Sequence, residues 1–445
     1  MSDWLIRNAR VVDSGRRYDA DVRIRAGRID AIAPALAGSP GEREFDAAGR
    51  LLLPGLIDDQ VHFREPGFEH KGDLATESRA AVAGGITSVM EMPNTKPQTV
   101  TIEALEDKYA RAAQRSLANH AFYLGATNDN LEQIRRLQPG QACGVKVFMG
   151  ASTGNMLVDN EATLDAIFRD APTIVTTHCE HQPTIEANLA AERARGPLTV
   201  DRHPYIRDVA CCVRSSRIAT GLARRHDARL HVLHVSTAEE IDLFDTGPVG
   251  KRRVTAETCV HFLHFDARDY ATKGNFIKCN PAIKFERDRE ALIEGLADGR
   301  LTILATDHAP HTLAEKEQPY EQAPAGLPLV QHALQCVLER VHDGRMTVET
   351  VVDRYCHAPA IVFGVRERGY VREGFHADLV LVDFERPQAI RREDVLSKCG
   401  WSPFEGCTFR SSVAATWVNG HLAWRDGRLD DSVPGQRLAL VRGRD

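Results

Sequence analysis

Residues 54–67 read Pro-Gly-Leu-Ile-Asp-Asp-Gln-Val-His-Phe-Arg-Glu-Pro-Gly, and Leu56 to His62 form a strand candidate. Side chains alternate along a strand, so Asp58, Gln60 and His62 are expected on one face. Arg64 follows where the loop begins. Further apolar, β-rich runs repeat this layout. With the first, the expected strands are 56–62, 86–92, 121–126, 144–149, 173–178, 230–236, 254–258 and 301–307. Amphipathic stretches at 73–83, 101–117, 162–170 and 206–225 lie between them. Strand–helix alternation implies a parallel sheet, and eight repeats imply a closed (β/α)8 barrel of the TIM type, an α/β fold.

The runs share a second feature: polar residues at or near their C-terminal ends. They are His62, Asn94, Lys146, His178, His234 and Asp307, with His308 and His311 just beyond. Active sites of such barrels are assembled on that rim. Each residue alone has an ordinary structural explanation. A strand-end His can be a hydrogen-bonded core residue, Lys146 can snorkel to solvent, and Asp307 can cap a helix. Arg64 and Asn94 can be turn residues. Their recurrence at several strand ends instead points to a metal site, because imidazoles and carboxylates suit zinc.

The two ends of the chain read differently. Short alternating segments within 3–53, 377–384 and 412–424, with an Asn419–Gly420 hairpin signal, indicate antiparallel β structure. Residues 1–53 and 366–445 are therefore expected to form one small β-sandwich domain, with the barrel, 54–365, inserted between them. A net charge of −6 argues against nucleic-acid binding. Asp3 and Arg7 interrupt the N-terminus, and no window is long and apolar enough to span a bilayer. Ten scattered cysteines without a CxxC pair suit reduced thiols in a cytoplasmic protein.

Three motifs, PGLIDDQVHFREPG (54–67), MPNTKP (92–97) and ATDHAPH (305–311), resemble the amidohydrolase superfamily and, within it, the class I dihydroorotases. GVKVFM (144–149), THCE (177–180), LHVLHVST (230–237), KCNPAIK (278–284) and AGLP (325–328) support the resemblance, which covers essentially the whole chain. It implies zinc-dependent, reversible cyclisation of N-carbamoyl-L-aspartate to L-dihydroorotate in de novo pyrimidine biosynthesis. It makes His62, His178, His234 and Asp307 metal ligands, with Lys146 a carboxylated bridge between two zinc ions. Asp307 is also the implied catalytic acid–base. Arg64, Asn94 and His311 are implied to hold the substrate carboxylate, and Asn280 to add a further contact. A homodimer is the family-level expectation, with aspartate transcarbamoylase a further partner to consider.

One position departs from the family pattern. The family has Asp-x-His-x-His on the first strand, and here Gln60 replaces the first His. The metal on that side is then held weakly, or by Gln60 or Asp58, and a single-metal variant is the alternative. The loop Gly150–Met156, with two glycines and two hydroxyls, reads either as a lid or as an ordinary strand-to-helix connection. Two rivals stay open: a hydantoinase or allantoinase, against which Arg64 and Asn94 argue, and an inactive scaffold subunit, to which only Gln60 points.

Overall fold

The computed structural model describes residues 3–150 and 156–441. Eight parallel strands form the barrel: β1 (Leu56–Val61), β2 (Ile86–Glu91), β3 (Asn119–Phe122, continued by Leu124–Gly125), β4 (Val145–Phe148), β5 (Val175–His178), β6 (Leu230–Val232), β7 (Val254–Cys259) and β8 (Ile303–Ala305). Neighbours pair in register, with Phe148 beside His178 and Thr177 beside Val232. A parallel bridge from Val61 to His308 closes the ring between β1 and the segment after β8.

The helices outside the barrel start where the sequence supplies caps. Asp73 accepts from Thr76 N at the head of Leu74–Ala83, and Thr101 accepts from Ala104 N at the head of Ile102–Arg115. In the second helix Leu105, Tyr109 and Ala112 recur at helical spacing and are the buried apolar positions facing the sheet. An apolar cluster of Ile57, Met90, Tyr123, Ile174, Leu233, Ile303 and Phe363 fills much of the barrel below the mouth.

Both termini contribute to a nine-stranded, mostly antiparallel sheet. Strand Leu51–Pro54 joins strand Trp4–Asp13 on one side and Leu379–Asp383 on the other, tying the two ends together. Its core holds Trp4, Ile6, Val22, Leu379 and Trp417, and Phe45 meets Trp417 edge-on at 5.1 Å. This is the small β-sandwich beside the barrel. Asn419 and Gly420 turn its expected hairpin with φ of 51° and 78°.

The first strand departs from simple alternation. Pairing between β1 and β2 shifts register between Asp58 and Val61. A bulge inserts a residue and re-aims the side chains that follow. Asp58 therefore does not share a face with Gln60 and His62. It accepts from Thr306 N at 3.1 Å and Thr306 Oγ1 at 2.6 Å, clamping β1 to β8. Burial pushes its carboxyl up to about 8. The expectation of Asp58 as a substitute metal ligand is thereby corrected. The loop Gly150–Met156, read either as a lid or as an ordinary connection, falls largely on residues 151–155, outside those described.

Candidate active site

The C-terminal mouth of the barrel opens into a cavity of about 380 Å³. Gln60, His62, Arg64, Asn94, Lys146, His178, His234, Asn280, Asp307 and His311 all line it, whereas Asp58 and His308, also singled out from sequence, do not. Three of them, Arg64, His234 and Asp307, have positive φ angles of 72°, 40° and 52°. Non-glycine residues rarely adopt this conformation, which costs about 1–3 kcal/mol each and clusters at functional sites.

The donors fall into two groups. On one flank His178 Nδ1 lies 2.9 Å from His234 Nε2. His178 Nε2 meets Glu180 Oε2 at 2.9 Å, and Glu180 in turn pairs with Arg207. The carboxylate fixes which imidazole nitrogen faces the cavity, as it does in metal sites. Burial lowers the pKa of both histidines. They are neutral near pH 7, the form that ligates metals.

On the other flank His62 Nδ1 donates to Asn94 Oδ1 at 2.8 Å, leaving its Nε2 lone pair 3.1 Å from Asp307 Oδ1. A lone pair facing a carboxylate oxygen suits a bound cation or proton between them. Gln60 directs its amide nitrogen to Asp307 Oδ1 at 3.1 Å and its oxygen toward Cys259 Sγ at 3.9 Å. Burial raises the Asp307 pKa, but with a proton between the two groups the hydrogen bond and charge of His62 outweigh it and hold the carboxyl below its usual range.

Lys146 sits among these groups, 1% exposed, with Nζ 4.6 Å from the Phe148 ring centroid. It does not snorkel to solvent. Burial lowers its amine to about 8. Nor does Asp307 cap a helix: the next short helix, Leu313–Lys316, is capped by Thr312. The donor set of three imidazoles, one carboxylate and a buried lysine fits a divalent metal site, and Gln60 is the member that turns a donor rather than a ligand atom inward.

Opposite the ligands lies a polar pocket. Arg64 Nε donates to Pro310 O at 3.0 Å, and Nη2 lies 3.0 Å from His311 Nε2. Lys71 Nζ approaches His311 Nδ1 at 3.1 Å, while His311 Nε2 meets Ala325 O at 3.0 Å. The guanidinium is buried, and burial lowers its pKa to about 10, so it remains a cation at neutral pH. Asn280 Oδ1 is buried with no hydrogen-bond partner among the described residues. Gly326 approaches closely here: a Cβ would fall 2.5 Å from Ala309 O.

Two contributors carry no role that sequence alone assigns. Glu180 lies within the Thr-His-Cys-Glu motif, so its place beside His178 has a faint signal. Arg207, which lines the cavity, comes from the turn before helix Val209–Arg225 and has none. His308, by contrast, faces away: its Nε2 meets Glu77 at 2.8 Å and its Nδ1 accepts from Leu329 N at 2.9 Å. All ten cysteines are free, and nine are buried. No helix among the described residues is long and apolar enough to cross a membrane.

The amidohydrolase family model matches residues 51–423. The dihydroorotase of Halobacterium salinarum is 36% identical over 98% of this chain and 99% of its own. The dihydroorotase of Methanosarcina acetivorans is 32% identical over 91% of this chain and 89% of its own. Among solved structures, the L-hydantoinase (dihydropyrimidinase) of Arthrobacter aurescens superposes with a TM-score of 0.92 at 27% identity, covering 99% of this chain and 100% of its own.

Proposed function

The chain belongs to the amidohydrolase family and, within it, to the dihydroorotases, and on that premise we propose that its mouth interconverts N-carbamoyl-L-aspartate and L-dihydroorotate. The observation that carries the substrate is the buried Arg64 guanidinium, facing the ligand set across one cavity beside Asn94 and His311. A planar, permanently charged fork suits a carboxylate, which hydantoins and allantoin lack. Asn280 offers its unpartnered amide oxygen to a substrate N–H.

His62, His178, His234 and Asp307 are the proposed ligands of zinc, with Lys146 carboxylated on Nζ as the bridge. The lowered amine of Lys146 supports this, since only a neutral amine attacks carbon dioxide. Gln60 stands at the edge of the set, so occupancy of two ions is proposed with one as the alternative. When bound, such ions supply Lewis acidity, polarising the ring amide carbonyl and bringing water toward neutrality in pKa.

The chain's own groups then move the proton and hold the substrate. Asp307, ionised at neutral pH, takes the proton of the attacking water and delivers it to the departing ring nitrogen. Asn94 keeps His62 oriented through Nδ1, and Arg64 fixes the substrate carboxylate so that the ring amide faces Asp307. In the synthetic direction the same transfers run in reverse and water is lost. The resemblance further supports a cytoplasmic homodimer acting in pyrimidine biosynthesis, with aspartate transcarbamoylase as a partner to test.

The test is hydrolysis of L-dihydroorotate by protein purified with zinc and bicarbonate, with metal counted on the same sample. Turnover is expected on dihydroorotate and not on hydantoin or allantoin. Turnover confined to the latter pair would overturn the substrate assignment, and a metal-free, inactive protein would favour a scaffold subunit.

A further inference from the structure

One layer below the mouth, three side chains from β1, β6 and β7 meet inside the closed barrel. They are Asp59, His231 and Glu257, all 0% exposed. His231 Nε2 lies 3.1 Å from Glu257 Oε2 and 3.3 Å from Asp59 Oδ2. Outside the triad, neither Asp59 carboxylate oxygen has a hydrogen-bond partner among the described residues. From this geometry we propose that the barrel core holds a divalent metal ion on Asp59 Oδ2, His231 Nε2 and Glu257 Oε2, separate from the ligand set at the mouth.

The hydrogen bonds around His231 decide which atom faces the two carboxylates. Thr255 Oγ1 lies 2.8 Å from His231 Nδ1 and 3.3 Å from Leu230 O, so by donating to Leu230 O it can accept from Nδ1. In that tautomer the Nε2 lone pair points at Asp59 and Glu257. A lone pair and two carboxylates converging in a fully buried core call for positive charge at their centre. The spacing suits a metal. Bonds of about 2.0–2.2 Å in a tetrahedral site put neighbouring donor atoms about 3.3–3.6 Å apart, which the 3.1 and 3.3 Å separations reach with a small outward shift of His231. The charges also match, because a dication neutralises two carboxylates. One imidazole and two carboxylates form a set that takes zinc, manganese or iron(II).

The ion would act on the mouth through one bond. Glu257 uses its second oxygen, Oε1, to accept from the backbone N–H of His234 at 3.1 Å. His234 holds a φ of 40°, and a braced Glu257 fixes that turn. The role is structural: the triad lines no part of the mouth cavity.

Burial makes the two sites separable. The mouth is open to chelators, whereas an ion on the triad is sealed in until the barrel unfolds. Protein expressed with zinc supplementation would be dialysed against EDTA while native, counted for metal, then unfolded in guanidinium chloride and counted again. About one equivalent per chain is expected to survive dialysis and leave on unfolding. Anomalous diffraction at the zinc edge, from crystals of the dialysed wild-type protein, should give a peak between Asp59, His231 and Glu257. The Asp59→Asn variant should lose that equivalent while the undialysed protein keeps its EDTA-labile zinc. No anomalous peak at the triad in the wild type, whatever the mouth binds, would overturn the proposal in favour of a proton shared among the three groups. Because it is read on wild-type protein, that outcome does not depend on the variant folding.

Discussion

The two flanks of the mouth bring different chemistry to the same cavity. On the His178–His234 flank two neutral imidazoles converge, and Glu180, itself anchored by Arg207, holds one of them from behind. On the His62 flank a single imidazole is held by Asn94, and Gln60 points an amide nitrogen at Asp307. The first flank is complete in itself. The second depends on Asp307 and on whatever Lys146 becomes. A barrel can thus lose one imidazole without losing the fold, because ligands sit on strand tips and the packing that closes the ring lies below them.

Asp307 serves both the weaker flank and the proton transfer, so its loss is expected to have the largest effect. Asp307→Asn should lower kcat for dihydroorotate by about 10²–10⁴-fold, measured by the absorbance change on ring opening. A variant within a few-fold of wild type would remove Asp307 from proton transfer. Next comes the brace of the stronger flank. Glu180→Gln should weaken metal binding by about 10–100-fold, read by competition with a chromogenic chelator, with kcat largely kept at saturating metal. Unchanged affinity would mean that the two flanks differ in appearance only.

The substrate side is a milder test. Arg64→Lys keeps the charge but not the fork, so KM should rise about tenfold with a smaller change in kcat. An equal fall of kcat at unchanged KM would place Arg64 in the chemical step instead. Reconstitution of metal-free protein should also depend on pH through Lys146. With its amine near 8, about one lysine in ten is neutral at pH 7 and about half at pH 8. At fixed dissolved carbon dioxide and excess zinc, the activation rate should rise about fivefold over that interval and level off above pH 9. A rate flat from pH 6 to 9 would exclude titration of this amine as the limiting event.

Much of the fold and of the mouth is legible in the amino-acid sequence. The barrel strands can be read because each is a short apolar run, and the ligands because a polar residue at a strand tip interrupts such a run. His62, Lys146, His178, His234 and Asp307 all carry that signal. Three features are not legible. The bulge in β1 depends on pairing with β2, so a period-two pattern groups Asp58 with Gln60 and His62, whereas Asp58 clamps Thr306. Arg207 reaches the cavity only because of where helix Val209–Arg225 docks. The contact of Asp59 with His231 and Glu257 joins residues some 170–200 positions apart that sequence periodicity does not relate.

The finest test of the comparison repairs the weaker flank. Gln60→His puts an imidazole where the amide now donates to Asp307. The cavity already contains the rest of that flank: His62 with its lone pair aimed inward, Lys146 and Asp307. If an amide is all that separates the flanks, the variant should hold about one more EDTA-labile zinc per chain than wild type at the same low, buffered free-zinc concentration. Glu180→Gln combined with Gln60→His should then lose metal from the His178 flank alone. Equal retention in wild type and variant would locate the difference elsewhere, either in an amide that rotates its oxygen inward when metal arrives or in a carboxylated Lys146 strong enough to hold both ions. Rotation of the amide predicts that Gln60→Leu, which can neither donate nor ligate, loses the zinc that wild type keeps; a lysine-dominated site predicts that Gln60→Leu retains it.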